Sequence, residues 1–228
     1  MNKKTILSLL VIAGLLLGGY LLYHHLMDSK EVMMDTKFYK TELDSIRETR
    51  QQLRKKHADK KTLKAAFLKG ITQKIFPYWY GTKWDFNGTS QMPQEGSIAC
   101  GYFVTTTLRD MGVPINRVKM AQCASEEMIR SLTSKEHIHH ISNTSLAAFE
   151  KKMVGYGNGL YIIGLDNHTG FIYINGDEHY FIHSTGWFPF KVVKDQISES
   201  SVLSKSNYRV VGKISDDDAF LKRWIEKE

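Results

Sequence analysis

The stretch "GLYIIGLDNHTGFIYINGDEHYFIHST" (159–185) decides the fold. Its apolar residues recur with period two in three runs, 159–165, 168–174 and 179–185, which predicts three consecutive strands. "NGDE" (175–178) is hairpin-turn chemistry. A hairpin that closes there with Ile174 opposite His179 pairs residues whose numbers sum to 353. Gly170 then faces His183, and His168 and His183 become diagonal neighbours on one face, ~7–8 Å apart at the backbone. His179 shares that face at the far end of its strand, too far to orient His168. A slip of one residue would send His183 to the opposite face.

Outward from this meander the pattern is simple. "FKVV" (190–193) and "YRVVGKI" (208–214) add strands, and "DDDAFLKRWI" (216–225) reads as a helix opened by capping aspartates. Upstream the period is helical: 98–111, stopped by Gly112 and Pro114, then 121–133 and 145–153. Ser97 is the expected cap of the first of these. Helices followed by a meander of strands predict an α+β fold, not a doubly wound sheet.

The chain has 228 residues, 42% hydrophobic and 24% charged, with a formal net charge of +7. That composition suits one packed domain with extra segments. Much of the positive charge lies in "RETRQQLRKKHADKK" (47–61). It reads as a solvated helix face, with anionic lipid or cell-wall polymer as the functional alternative. No recognition motif accompanies it, so nucleic acid is not an expected partner. Two cysteines exclude a disulfide framework.

A basic "MNKK" precedes Thr5 to Tyr23, a run without charge and close to the ~20 residues of a bilayer crossing. Residues 1–27 are therefore expected to form a signal anchor or transmembrane helix, left uncleaved because a small-x-small cleavage site is poorly formed. Lysines flank both ends of the run and leave its orientation open. The secretory-type head places the body outside the cytoplasm, membrane-anchored or secreted, at a bacterial cell envelope. Residues 28–70 are polar, free of proline, and carry apolar residues at helical spacing, which predicts a helical stalk or helix pair ended by Pro77. Residues 71–228 are expected to form the globular domain. Its loop 78–96 is rich in aromatics and glycine; such loops often line sites, although an aromatic cluster is more often core than cleft wall.

Cys100 sits where that loop turns into a helix. A helix N-terminus lowers a thiol pKa and offers N–H groups to an oxyanion. A thiolate nucleophile needs a base, and the base an orienting partner; His168 and His183 are placed to supply them. "IACGYFVTTTLRDMGV" (98–113) and "HTGFIYI…HYFIHST" resemble the nucleophile helix and histidine block of the NlpC/P60 cysteine peptidases. The likeness covers roughly residues 76–190. Ala99 stands where that family has aspartate, and no serine separates Cys100 from Gly101. The resemblance implies a papain-like fold, with a nucleophile helix packed on an antiparallel sheet. It implies Cys100 as nucleophile, His168 as base and His183 as orienting residue. It also implies a tyrosine near the oxyanion; Tyr80 is the candidate, with Tyr78 and Trp84 in competition. Gln94, six residues before Cys100, has the spacing of the oxyanion glutamine of papain-like enzymes.

The expected activity is a membrane-tethered thiol hydrolase that cleaves an amide bond, with cell-wall (peptidoglycan) stem peptides as the substrate the resemblance implies. The alternatives are an acyl transferase using the same site, or an inactive anchored binding module. "HIHH" (137–140) with Cys123 matches no zinc spacing, and no phosphate loop or dinucleotide fingerprint is present, so neither metal nor cofactor is expected. A Cys100–Cys123 disulfide would mask the nucleophile; packing is the expected role of Cys123.

Overall fold

A computed structural model describes residues 14, 17–19 and 33–226. The signal-anchor expectation for 1–27 falls almost wholly outside them. Among the described residues, no helix is long and apolar enough to cross a membrane. The unit that carries the site runs Met33–Glu228.

Helices come first. α1 (Tyr39–Lys55) and α2 (Lys60–Lys69) form the expected pair, the second capped by the Asp59 carboxylate accepting the Thr62 N–H. α2 runs through a π-helical segment, Gly70–Ile75, into the short α3 (Phe76–Trp79). Pro77 therefore does not end the helical run. It sits in the first turn of α3, where a missing N–H costs nothing. The long helix at the site is α4 (Cys100–Asp110), followed by α5 (Arg117–Gln122) and α6 (Ser125–Leu132). Then come β1 (Ile138–His140), α7 (Leu146–Tyr156), β2 (Gly159–Leu165), β3 (Thr169–Asn175), β4 (Glu178–Ser184) and β5 (Val192–Gln196). α8 (Ser201–Lys205), β6 (Arg209–Lys213) and α9 (Asp218–Glu226) complete the unit.

The strands form one antiparallel sheet in the order β1-β6-β2-β3-β4-β5. The β3–β4 register is the expected one: Ile174 faces His179 and Phe171 faces Ile182. Gly176 and Asp177 make the two-residue loop between Asn175 and Glu178, with Gly176 at φ 60°, which glycine adopts at little cost. Helices cover both faces, so β2 is buried at every residue instead of alternating. On one face Leu160, Ile162, Phe171 and Ile182 join a core with the upstream helices; on the other Tyr161, Ile163, Ile172 and Phe181 pack with Phe149 and Met153 of α7. Phe103 of α4 meets Phe171 of β3 with ring centroids 6.0 Å apart, which packs α4 on the sheet.

The stalk assigned to 28–70 is, from Met33 on, part of this unit. Ile46, Leu63 and Phe67 are buried in the main core. Phe67 meets the rings of Phe220 and Trp224 in α9 edge-on, at 5.1 Å each. Its polar composition reads as a stalk because only one stripe of each helix is apolar, and that stripe is buried against α9 and the π segment.

Candidate active site

α4 begins at Cys100, with Ala99 as a cap residue in extended conformation and no side-chain cap. Ser97 does not cap it; its backbone bridges to Lys83 instead. The first-turn N–H groups are thus left uncapped by a side chain and stand beside the thiol. Gly101 is required here: a Cβ would lie 2.4 Å from the Ala121 carbonyl oxygen, so α4 and α5 come together backbone to backbone.

Cys100 lines a cavity of about 470 Å³ whose other walls are Gly101, Ala121, the 123–126 segment, Met128, the 165–169 turn and Tyr208. His168 and Thr169 form part of that turn, so the sheet brings the histidine and the cysteine to one cavity. His168 is held by the Leu165 N–H bond to its carbonyl, 2.8 Å. Its ring lies edge-on to Trp187, with centroids 6.2 Å apart.

The imidazoles of His168 and His183 meet directly. His168 Nε2 lies 2.8 Å from His183 Nδ1, and His183 Nε2 lies 3.1 Å from an Asp195 carboxylate oxygen. The diagonal pairing explains the first contact. Gly170 makes it possible, since a Cβ there would sit 2.8 Å from the His183 Cβ. Phe181 stacks on the His183 ring at 3.9 Å and fixes its plane. Asp195 sits in β5 opposite Phe181, diagonal to His183 on the same face.

The network assigns the protons. A carboxylate only accepts, so His183 Nε2 donates to Asp195. Neutral His183 then accepts at Nδ1, and His168 donates from Nε2. His168 Nδ1 is left as the unprotonated nitrogen of a residue that lines the cavity. Burial pushes His168 well below the usual histidine range, and the neighbouring His183 adds to this. Burial also lowers His183, while Asp195 pulls it back in part. Burial pushes the Cys100 thiol up, against the opposing pull of the Thr169, Gly101 and Cys100 N–H groups. Burial thus disfavours both the thiolate of Cys100 and the imidazolium of His168. At this helix terminus desolvation outweighs the backbone donors, so the thiol lies above its ordinary range.

Tyr80, Gln94 and Trp84, expected near the oxyanion, are not among the residues lining this cavity. The Gln94 side-chain amide donates to the carbonyls of Met34 (3.2 Å) and Tyr78 (3.0 Å), and so ties the loop down. Trp84 packs beside Phe190, ring centroids 6.5 Å apart, and Tyr80 is buried in the main core with Tyr78. The backbone N–H groups that act on the sulfur are those of Thr169 at the start of β3 and of Gly101 and Cys100 in the first turn of α4.

The residue sequence reasoning missed is Asp195. The strand expected over 190–193 stops short of it, because "KDQ" looks like a solvated loop. Extending the strand by period two from Val193, which faces His183, would have put Asp195 on the histidine face. His179 serves elsewhere, 2.8 Å from Glu150. In "HIHH", His140 contacts Glu126 at 3.0 Å and His139 stacks on Tyr156, so these rings already have partners in the protein. Cys100 and Cys123 are both free thiols, and Cys123 donates to the Met120 carbonyl oxygen at 3.2 Å. Comparison with known protein families, curated proteins and solved structures finds no match.

Proposed function

We propose that the protein is a thiol hydrolase of papain-like fold that opens an amide bond through Cys100, His168, His183 and Asp195. The observation that carries this reading is the chain of contacts from Asp195 through His183 to His168, ending at the cavity that Cys100 lines. It supports a general-base route. As Cys100 Sγ attacks the carbonyl carbon, its proton passes to His168 Nδ1. The oxyanion takes hydrogen bonds from the first-turn N–H groups of α4. His168 then gives the proton to the leaving amine, and the same nitrogen draws a proton from the water that opens the thioester. His183 and Asp195 hold the tautomer and stabilise the imidazolium while it exists.

The substrate class rests on the resemblance of the 98–113 and 168–185 segments to NlpC/P60 peptidases. It points to peptidoglycan stem peptides, met by a protein tethered to the membrane through residues 1–27. The test is incubation of the full chain with purified muropeptides, followed by mass spectrometry of the products. Cleavage at one amide, abolished in Cys100→Ala and His168→Ala, is the expected result. Intact muropeptides with folded wild-type protein would overturn the substrate; equal cleavage by Cys100→Ala would overturn the mechanism.

A further inference from the structure

Next to His168 the protein exposes a surface that the chemistry does not use. Residues 81–84 and 190–192 run antiparallel. The Gly81 N–H donates to the Val192 carbonyl (3.0 Å), the Val192 N–H to Thr82 (2.8 Å) and the Trp84 N–H to Phe190 (2.8 Å). Lys83 pairs with Lys191. Beyond these rungs the two arms end in tips that hold their aromatic rings in solvent. Phe86 is 80% exposed, Phe188 86%, Phe190 50% and Trp187 39%. Four exposed aromatics from two adjoining tips are an unusual load for a water-facing surface, and they mark a contact site.

Three observations choose the occupant. The residues are Trp and Phe with Lys83 and Lys191 on the rung behind them, the composition of a bilayer interface. Asp85, the one acid in the segments 82–88 and 186–192, is turned to its own loop, accepting the Asn87 N–H at 2.8 Å. The third is where the chain enters the unit. Met33 packs at Gly81, the first residue of this ladder, where an added Cβ would lie 2.9 Å from the methionine sulfur. Phe86 is five residues further on, within about 17 Å along an extended arm. Nine residues lie between Tyr23, the end of the uncharged run, and Met33, and the ten steps of chain span at most about 36 Å.

We infer that Phe86, Trp187, Phe188 and Phe190 form a lipid-bilayer contact that brings the rim of the Cys100–His168 cavity to the membrane surface. The inference rests on the proposed tether for its first contact, and it supplies a second. Two weak membrane signals together hold a protein far better than either alone. Trp187, itself one of the four, lies edge-on to the His168 ring and joins the site to that surface.

The test uses the full chain with Cys100→Ser and Cys123→Ser, carrying an environment-sensitive fluorophore on Phe188→Cys or, as control, on Val154→Cys. Val154 is 43% exposed on α7. The protein is mixed with phosphatidylcholine/phosphatidylglycerol vesicles, with and without nitroxide-labelled lipid, and also floated. The expected result is flotation with a blue-shifted label at 188, quenched by nitroxide lipid several-fold more than the label at 154. Flotation with equal quenching at both positions overturns the inference and leaves the tether standing. Failure to float overturns both. A blue shift at 188 that grows with protein concentration in the absence of lipid assigns the surface to a second copy of the chain and overturns the lipid contact.

Discussion

A neutral imidazole carries one proton for two nitrogens, and in His183 the Asp195 carboxylate decides which nitrogen holds it. That choice passes to His168 and leaves Nδ1 basic. His183→Ala removes the acceptor for His168 Nε2–H and frees the ring to turn. We expect kcat to fall by roughly 10²–10³ with KM little changed, as for loss of a group acting in proton transfer. Asp195→Asn keeps an acceptor oxygen and should retain most activity, whereas Asp195→Ala should not; steady-state kinetics on a cleaved peptide separate the three. The pH profile follows from the same groups. His168 must be neutral to act, and its folded pKa lies below the ordinary value of about 6.5. The acid limb of kcat/KM is therefore expected below pH 6.5. Stability has the same sign. A histidine with a depressed folded pKa binds more protons unfolded, so stability is full above about pH 6.5 and falls as pH drops toward the folded pKa. Replacing His168 by Gln should flatten that part of a Tm-versus-pH curve.

At the level of elements, α2 and α9 make the sharpest claims. Phe67→Ala empties a fully buried site between two rings and should cost about 3–5 kcal/mol in denaturant unfolding. Asp217 is the N-cap of α9: its carboxylate accepts the Phe220 N–H at 2.6 Å and the Ser134 N–H at 2.7 Å. Burial alone would raise its pKa, but these donors outweigh it and hold it below the usual carboxylate range. Its contribution is present above the unfolded value of about 3.9 and lost as pH falls through the folded value. Asp217→Ala should therefore cost about 1–2 kcal/mol at pH 7 and less as the pH falls below the ordinary carboxylate range, read by urea unfolding at neutral and acid pH. These elements also show how far the sequence could be read. Period two and "NGDE" put the β3–β4 register within reach, and with it the pairing of His168 and His183. A capping aspartate and an apolar stripe made α9 legible. What the pattern did not carry was placement in three dimensions. The stripe of α1 and α2 says that a partner exists, without saying that it is α9. Gln94 has an oxyanion spacing, but two backbone carbonyls hold its amide. Asp195 stayed hidden because an exposed "KDQ" and a strand end look alike until the neighbouring strand is in place.

At the scale of the whole molecule, the unit from Met33 on is indivisible upstream of Cys100. Because Tyr39, Ile46, Leu63 and Phe67 are part of the core around α4 and the sheet, a fragment that begins at residue 72 should be unfolded by circular dichroism. Within that frame the central claim is chemical: His168, set by His183 and Asp195, takes the proton of Cys100. The most direct measurement is the rate of iodoacetamide alkylation at Cys100 in the full chain as a function of pH, resolved from Cys123 by peptide mass spectrometry. At pH values where the raised thiol is not ionised, reaction depends on the imidazole. The account predicts a wild-type profile with a limb below pH 6.5 and appreciable reaction at neutrality, and a His168→Ala profile that keeps only the alkaline rise of an unassisted thiol. If wild type and His168→Ala show the same single rise above the ordinary thiol range of about 8.5, no proton passes between these groups and the account is wrong.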